Sequence, residues 1–173
     1  MSFIKKRNFA LVTFHFLFLV LLTSCSVYSF KDVSIDYTKY KTIKINFIEN
    51  KAPIINTQLA PKLNDKLQQK IVSQTKLTRT NNDDAHYQLS GFISTYNVTT
   101  TAISTTQAAT NRLTVGVHII VKDILLNKTD EFDVSRNFDF SANLSIDQAY
   151  AQLQDEIIRN LTDEIFNHIF SNW

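Results

Sequence analysis

Arg112-Leu-Thr-Val-Gly-Val-His-Ile-Ile-Val-Lys122 alternates without a break: Leu113, Val115, Val117, Ile119 and Val121 occupy every second position. A strand turns successive side chains to opposite faces, so these five line one face of a sheet and form the centre of the core. Downstream, after a turn around 127–130, Phe132, Val134, Phe138 and Phe140 continue the same period through 131–140, with Arg136 as the exception. An arginine in that register is expected near a sheet edge, its stem along the apolar surface and its head in water. Upstream, residues 97–111 are rich in Thr and Ser and hold no lysine, arginine or acid. They read as the end of a hairpin into which the strands can extend.

Further upstream, residues 85–96 alternate again. Tyr87, Leu89 and Ile93 face one way, and His86, Gln88, Ser90 and Ser94 the other. Gly91 stands in the apolar register, which marks either a helix packed close on the sheet or a bulge. Residues 41–48 set Ile43, Ile45 and Phe47 against Lys44 and Asn46, a half-buried strand.

Two segments have the helical period instead. Leu59, Leu63, Leu67 and Ile71 recur every four residues within 57–75, with Pro61 in the first turn, where a missing N–H costs little. Over 145–171, Ala149, Leu153, Ile157, Leu161, Ile165 and Ile169 do the same, and Tyr150, Ile158, Phe166 and Phe170 widen the stripe. Ser145 with Gln148 three residues on is a capping-box signature. The polar face of this second helix places Asp155, Arg159 and Asp163 at ion-pair spacing. The predicted order is β-α-β-β-β-α, an α/β fold built as an α+β sandwich on a four-stranded, mostly antiparallel or mixed sheet.

The N-terminus carries a different signal. Lys5, Lys6 and Arg7 precede an apolar run from Phe9 to Leu22, interrupted by His15, and Leu22-Thr23-Ser24-Cys25 closes it. The run is shorter than the ~20 residues a spanning helix needs, so 1–24 read as a signal peptide to be removed. Cys25 then receives a diacylglycerol anchor, and 25–173 form a single domain. Cys25 is the only cysteine, which excludes an intrachain disulfide. The formal net charge of +2 includes three leader cations and no leader acid, so residues 25–173 carry about −1. Nucleic acid is not an expected partner at that balance.

Little in the chain points to catalysis. His86, His118 and His168 fall in no metal-ligand spacing, no G-x-S-x-G elbow is present, and two glycines cannot build a phosphate-cradling loop. Asp83-Asp84, Asp155-Glu156 and Asp163-Glu164 are sequence neighbours, which point apart, so no acid/base pair is defined. No enzyme activity and no cofactor are expected. Lys62, Lys66 and Lys70 stand at a four-residue step beside the first helical stripe. They are either a patch for phosphates or an acidic partner, or a plain solvated face.

The ordered pieces are the cysteine followed by Tyr28-Ser29-Phe30, the Thr42-Ile-Lys-Ile-Asn-Phe-Ile-Glu-Asn50 strand, a Pro-led helix ending Ser73-Gln-Thr-Lys-Leu-Thr78, and Tyr87-Gln-Leu-Ser-Gly91-Phe-Ile. Asn111-Arg-Leu-Thr-Val115, the long helix, Asp163-Glu-Ile-Phe-Asn167 and Ser171-Asn-Trp173 follow. Together they resemble the LPS-assembly lipoprotein family, LptE, in its Bacteroidetes-type branch, over nearly the whole mature chain. The resemblance implies two helices packed on one face of the sheet, lipid anchorage at the periplasmic face of the outer membrane, and no catalysis. It implies a plug in the lumen of the β-barrel LptD that helps the barrel assemble and supports lipopolysaccharide insertion into the outer leaflet. Ser26 in place of an inner-membrane retention aspartate, and the lack of an acidic run over 26–30, agree with that address. The family's lipopolysaccharide contacts involve basic residues near the hairpin end, which 97–111 lack here. Lys62, Lys66, Lys70, Arg112 or Lys122 would have to supply the charge. A small lipid- or ligand-carrying, or pilotin-like, periplasmic lipoprotein is the alternative.

Overall fold

The computed structural model describes residues 35–102 and 110–171. The leader 1–24, Cys25 and the hairpin tip at 103–109 lie outside the described residues. In chain order the elements are β1 (Thr42–Ile45), β2 (Glu49–Asn50), α1 (Leu59–Gln74), β3 (Thr78–Arg79), β4 (Tyr87–Ala102), β5 (Thr110–Asp123), β6 (Lys128–Ser141) and α2 (Ile146–Phe170).

The sheet runs β3-β1-β4-β5-β6, and β2 pairs with β4 beyond the end of β1. The four expected strands are present in the expected order, and β2 and β3, two residues each, add to them. The sheet is mixed. β4, β5 and β6 form an antiparallel meander, whereas β1, β2 and β3 pair in parallel. A parallel neighbour requires a crossover, and α1 is that crossover.

The helical stripes cover one face. Leu59, Leu63, Leu67 and Ile71 of α1 are fully buried, as are Ala149, Ile157, Leu161 and Ile165 of α2, against Leu89, Ile93, Leu113, Val115, Val117 and Ile119 of the sheet. The capping box at Ser145 is closed from both sides: Ser145 Oγ accepts from the Gln148 N–H at 3.3 Å, and Gln148 Oε1 accepts from the Ser145 N–H at 3.0 Å. Arg136 lies on the edge strand β6 and reaches Glu164 of α2.

Three expectations are corrected. β1 ends at Ile45, so Phe47 is 58% exposed, and Ile48, out of phase with Ile43 and Ile45, takes the core position. At Gly91 the close neighbour is the strand beside it, not a helix: a Cβ there would stand 2.3 Å from the carbonyl oxygen of His118. The register shifts fall later, between Ile93 and Thr95 and between Thr100 and Ala102. Finally, Asp163 pairs with Lys70 across the helix layer at 2.8 Å, and neither Asp155–Arg159 nor Arg159–Asp163 is an ion pair among the described residues. A partly buried lysine on the facing helix is the better-desolvated partner for that carboxylate.

Two hydroxyls in the helix–sheet layer, Tyr150 Oη and Thr162 Oγ1, are buried without a hydrogen-bond partner among the described residues. Burial, with Tyr96 and Asp155 nearby, pushes the Tyr150 hydroxyl up to about 12. An unmet buried hydroxyl is destabilising, so Thr162→Val should raise stability by about 1 kcal/mol in chemical denaturation, with an unchanged denaturant slope.

Candidate functional surface

Residues paired across an antiparallel ladder share a face, so the register of β4, β5 and β6 defines the face that the helices leave open. Its rows are Ser90/Ile120/Glu131, Phe92/His118/Asp133, Thr95/Gly116/Ser135, Asn97/Thr114/Asn137 and Thr99/Arg112/Asp139. Among the described residues no element packs over these rows. The middle is uncharged and built of hydroxyls and amides around Gly116; Thr114 Oγ1 donates to Asn137 Oδ1 at 2.8 Å. Towards β6 the face turns acidic.

At one end Arg112 clasps Asp139 with two hydrogen bonds, Nε at 2.7 Å and Nη2 at 2.9 Å. The guanidinium holds the Asp139 carboxyl below the usual carboxylate range, and Asp139 in turn raises Arg112. A carboxyl lowered in the folded state contributes stability above its unfolded value of ~3.9 and loses it as pH falls through the folded value. Asp139→Asn should therefore flatten the acid limb of a stability–pH curve below about pH 4. Both groups are well exposed, so the change will be modest. In the other half His118 lies 3.0 Å from Asp133 and 3.7 Å from Glu131, with its ring tilted against Phe92 at 5.1 Å.

The five basic residues singled out for phosphate contact do not converge. Lys62, Lys66 and Lys70 line the groove between α1 and α2, alongside Asp65, Asp155, Arg159 and Asp163. There Lys62 is hydrogen-bonded to Gln154, while Lys70 is ion-paired to Asp163 and lies over the Phe166 ring. Arg112 and Lys122 are on the open face of the sheet, at opposite ends of β5. Ten residues of strand separate them, ~33 Å. Among these five, Lys66 and Lys122 are exposed with no hydrogen-bond or ion-pair partner among the described residues. His86, read as a polar-face histidine, instead clamps the start of β1: its Nδ1 lies 2.7 Å from Thr42 Oγ1 and accepts the Thr42 N–H at 3.2 Å.

Among the described residues no group of three His, Cys, Asp or Glu is placed to hold a metal. What the open face offers is broad, shallow hydrogen bonding. That property was readable only in part from sequence: the polar positions of each strand were evident, but their alignment into one face depends on the pairing.

Residues 40–169 match the family model described as LptE: Lipopolysaccharide-assembly. No curated protein matches the chain. Among solved structures, a minor lipoprotein from Acinetobacter baumannii is similar at 18% identity and a TM-score of 0.51, covering 75% of this chain and 92% of that one. A hypothetical protein from Chlamydia trachomatis is similar at 12% identity and a TM-score of 0.49, covering 74% of this chain and 96% of that one. The first of these likenesses concerns the fold.

Proposed function

Because the chain belongs to the LptE lipopolysaccharide-assembly family, with the match running over residues 40–169, we propose that it works as a non-catalytic plug. It sits within the outer-membrane β-barrel LptD, supports the barrel's assembly and aids lipopolysaccharide insertion into the outer leaflet. Residues 1–24 are the signal peptide, Cys25 carries the acyl anchor, and the domain 25–173 is held at the periplasmic face of the outer membrane.

The open face of β4–β5–β6 carries this reading. The lumen wall of a wide barrel is polar and wet, so a body seated in it needs hydrogen-bonding groups, not an apolar patch. Thr95, Asn97, Thr114, Ser135 and Asn137 supply such groups on a rigid sheet. A lipid carrier would need a concave, mostly apolar pocket. The groove between α1 and α2 is lined instead by Lys62, Lys66, Gln69, Asp155 and Arg159. Direct lipopolysaccharide contact, if made by the five basic residues, falls to Lys66 and Lys122, since Lys62, Lys70 and Arg112 are already engaged.

Tagged full-length protein, extracted in mild detergent, should bring down a large β-barrel. Asn97→Lys, at an exposed position of the face, should reduce that recovery about tenfold, as expected for a charge placed at the core of an interface, while leaving the unfolding midpoint within error. Recovery of monomer alone, under conditions that preserve other outer-membrane complexes, would count against the plug. Depletion of the protein should reduce lipopolysaccharide at the cell surface.

A further inference from the structure

The turn joining β5 to β6 is apolar, although hairpin turns are ordinarily built from Gly, Asn, Asp and Ser. Ile124, Leu125 and Leu126 are 43%, 49% and 69% exposed. Within 124–127 Asn127, at a φ of 50°, is the residue of the usual turn type. The turn is nonetheless held in shape. Asp123 Oδ1 accepts from the Leu126 N–H at 2.9 Å, and the Ile124 N–H donates to the His86 carbonyl at 2.9 Å.

Its place in the fold suggests what covers it. Tyr40, where the chain enters the domain, donates from Oη to Asp123 Oδ2 at 2.7 Å and stacks on Tyr87 at 4.6 Å. The turn and the start of the domain are therefore at the same end of the sheet. Lys122 and Lys128, both exposed, flank the turn beside Asp123 and Asp130, and Lys41, also exposed, stands at that end with its Nζ bonded to the Tyr37 carbonyl. An exposed apolar tip rimmed by lysines is the pattern of a segment that rests in a membrane interface, with its cations against lipid phosphates.

We propose that Ile124-Leu125-Leu126 enters the interfacial layer of the phospholipid bilayer, as a second contact beside the acyl chain. This rests on acylation of Cys25, because Cys25 is ten residues from Ile35 and the intervening chain reaches at most ~35 Å. A tether of that reach keeps the domain within about one strand length of the bilayer, and the Tyr40 end is the end of the sheet nearest the anchor along the chain. Two contacts fix an orientation that one flexible anchor leaves free.

The test uses the full-length lipoprotein reconstituted in vesicles of phosphatidylethanolamine and phosphatidylglycerol. Acylated Cys25 has no free thiol, so Leu125→Cys and, separately, Thr99→Cys at the far end of the sheet each offer one labelling site for an environment-sensitive fluorophore. Lipid-borne nitroxides should quench the label at 125 about twofold more than the label at 99, because interfacial side chains lie ~5–10 Å deep. Equal quenching at the two sites would overturn the proposal, as would shielding at 125 that occurs only when the barrel is co-reconstituted, which would make the occupant a protein. Mass spectrometry of the same samples separates the two readings. An unmodified Cys25, which would itself take the label, sinks the anchor and with it the insertion that rests on it; an acylated Cys25 with an unquenched label at 125 keeps the anchor and sinks the insertion.

Discussion

Gly91→Ala should lower stability by about 3 kcal/mol, while Gly116→Ala, on the adjacent strand, should change it by less than about 1 kcal/mol. At Gly91 the added Cβ would lie 2.3 Å from the carbonyl oxygen of His118 and 3.3 Å from its carbonyl carbon. That neighbour is backbone, and it belongs to the ladder that pairs Gly91 with Ile119 at the heart of the sheet. Relief requires β4 and β5 to separate locally, which disturbs the packing of Leu89, Ile93, Val117 and Ile119 at once. At Gly116 the nearest atoms are the Cβ and Oγ1 of Thr95 at 3.0 and 3.1 Å and the Oγ of Ser94 at 3.2 Å. The Ser94 hydroxyl can rotate away, and the site is on the open face, next to a bulge that can give. Replacing glycine by alanine also restricts the unfolded chain, worth ~0.4–1 kcal/mol, which offsets the remaining crowding. Chemical denaturation of both variants checks the ordering. Similar losses at both sites would show that steric room near the backbone is not what selects glycine at position 91.

Asn64→Ala should cost about 2–4 kcal/mol, a large effect for a polar residue on a surface helix. Asn64 Oδ1 accepts from the Ile48 N–H at 2.9 Å, and Nδ2 donates to the Ile48 carbonyl at 3.0 Å and to the Ala60 carbonyl at 2.8 Å. Ile48 is fully buried in the gap between β1 and β2, and the side-chain amide provides both bonds that a neighbouring strand would have given it. Truncation leaves a donor and an acceptor unmet, at ~1–3 kcal/mol each, partly relieved where water can enter. Asn64→Asp separates the two halves of the interaction: the acceptor for Ile48 N–H remains, but a carboxylate would face two carbonyl oxygens. Those oxygens favour the protonated acid in the folded state, raising its value there. Relative to the wild type, the variant should then be most stable in acid and lose stability as pH rises through and above the ordinary carboxylate value of ~3.9. Urea unfolding of the three proteins across that range checks both the size and the sign. A pH-independent Asn64→Asp variant would argue that Ile48 is held by other groups.

These two sites show where sequence reading stopped. In the sequence Gly91 marks a close helix or a bulge but not its neighbour, since His118 is 27 positions away and becomes adjacent only through pairing in register. Asn64 carried no signal: beside Leu63 it reads as one more polar position on an amphipathic helix. At Phe47 the alternation in the sequence runs two residues past the end of β1, and Ile48 takes the core position instead. The candidate surface followed the same division. Thr114, Asn97 and Asn137 were visible as polar alternates, each on its own strand. Their assembly into one uncharged patch, with Arg112 held by Asp139 at its end, depends on which strands are neighbours.

The sequence by itself determined the type and burial phase of the main elements. Whether a residue faces the core is a property of one segment, written as a period of two in β5 or four in α1 and α2, and burial of those stripes does most to hold the fold together. It also carried the closed cap at Ser145 and the expectation of an anchor at Cys25. Only the tertiary structure decided the parallel placement of β1 beside β4, the partner of Asp163, the amide that completes Ile48, and the nearness of the Ile124-Leu125-Leu126 turn to the end where the chain enters. Each of these concerns two segments far apart in the chain. A local pattern constrains its own strand or helix, but the choice of neighbour depends on how all the buried faces fit at once.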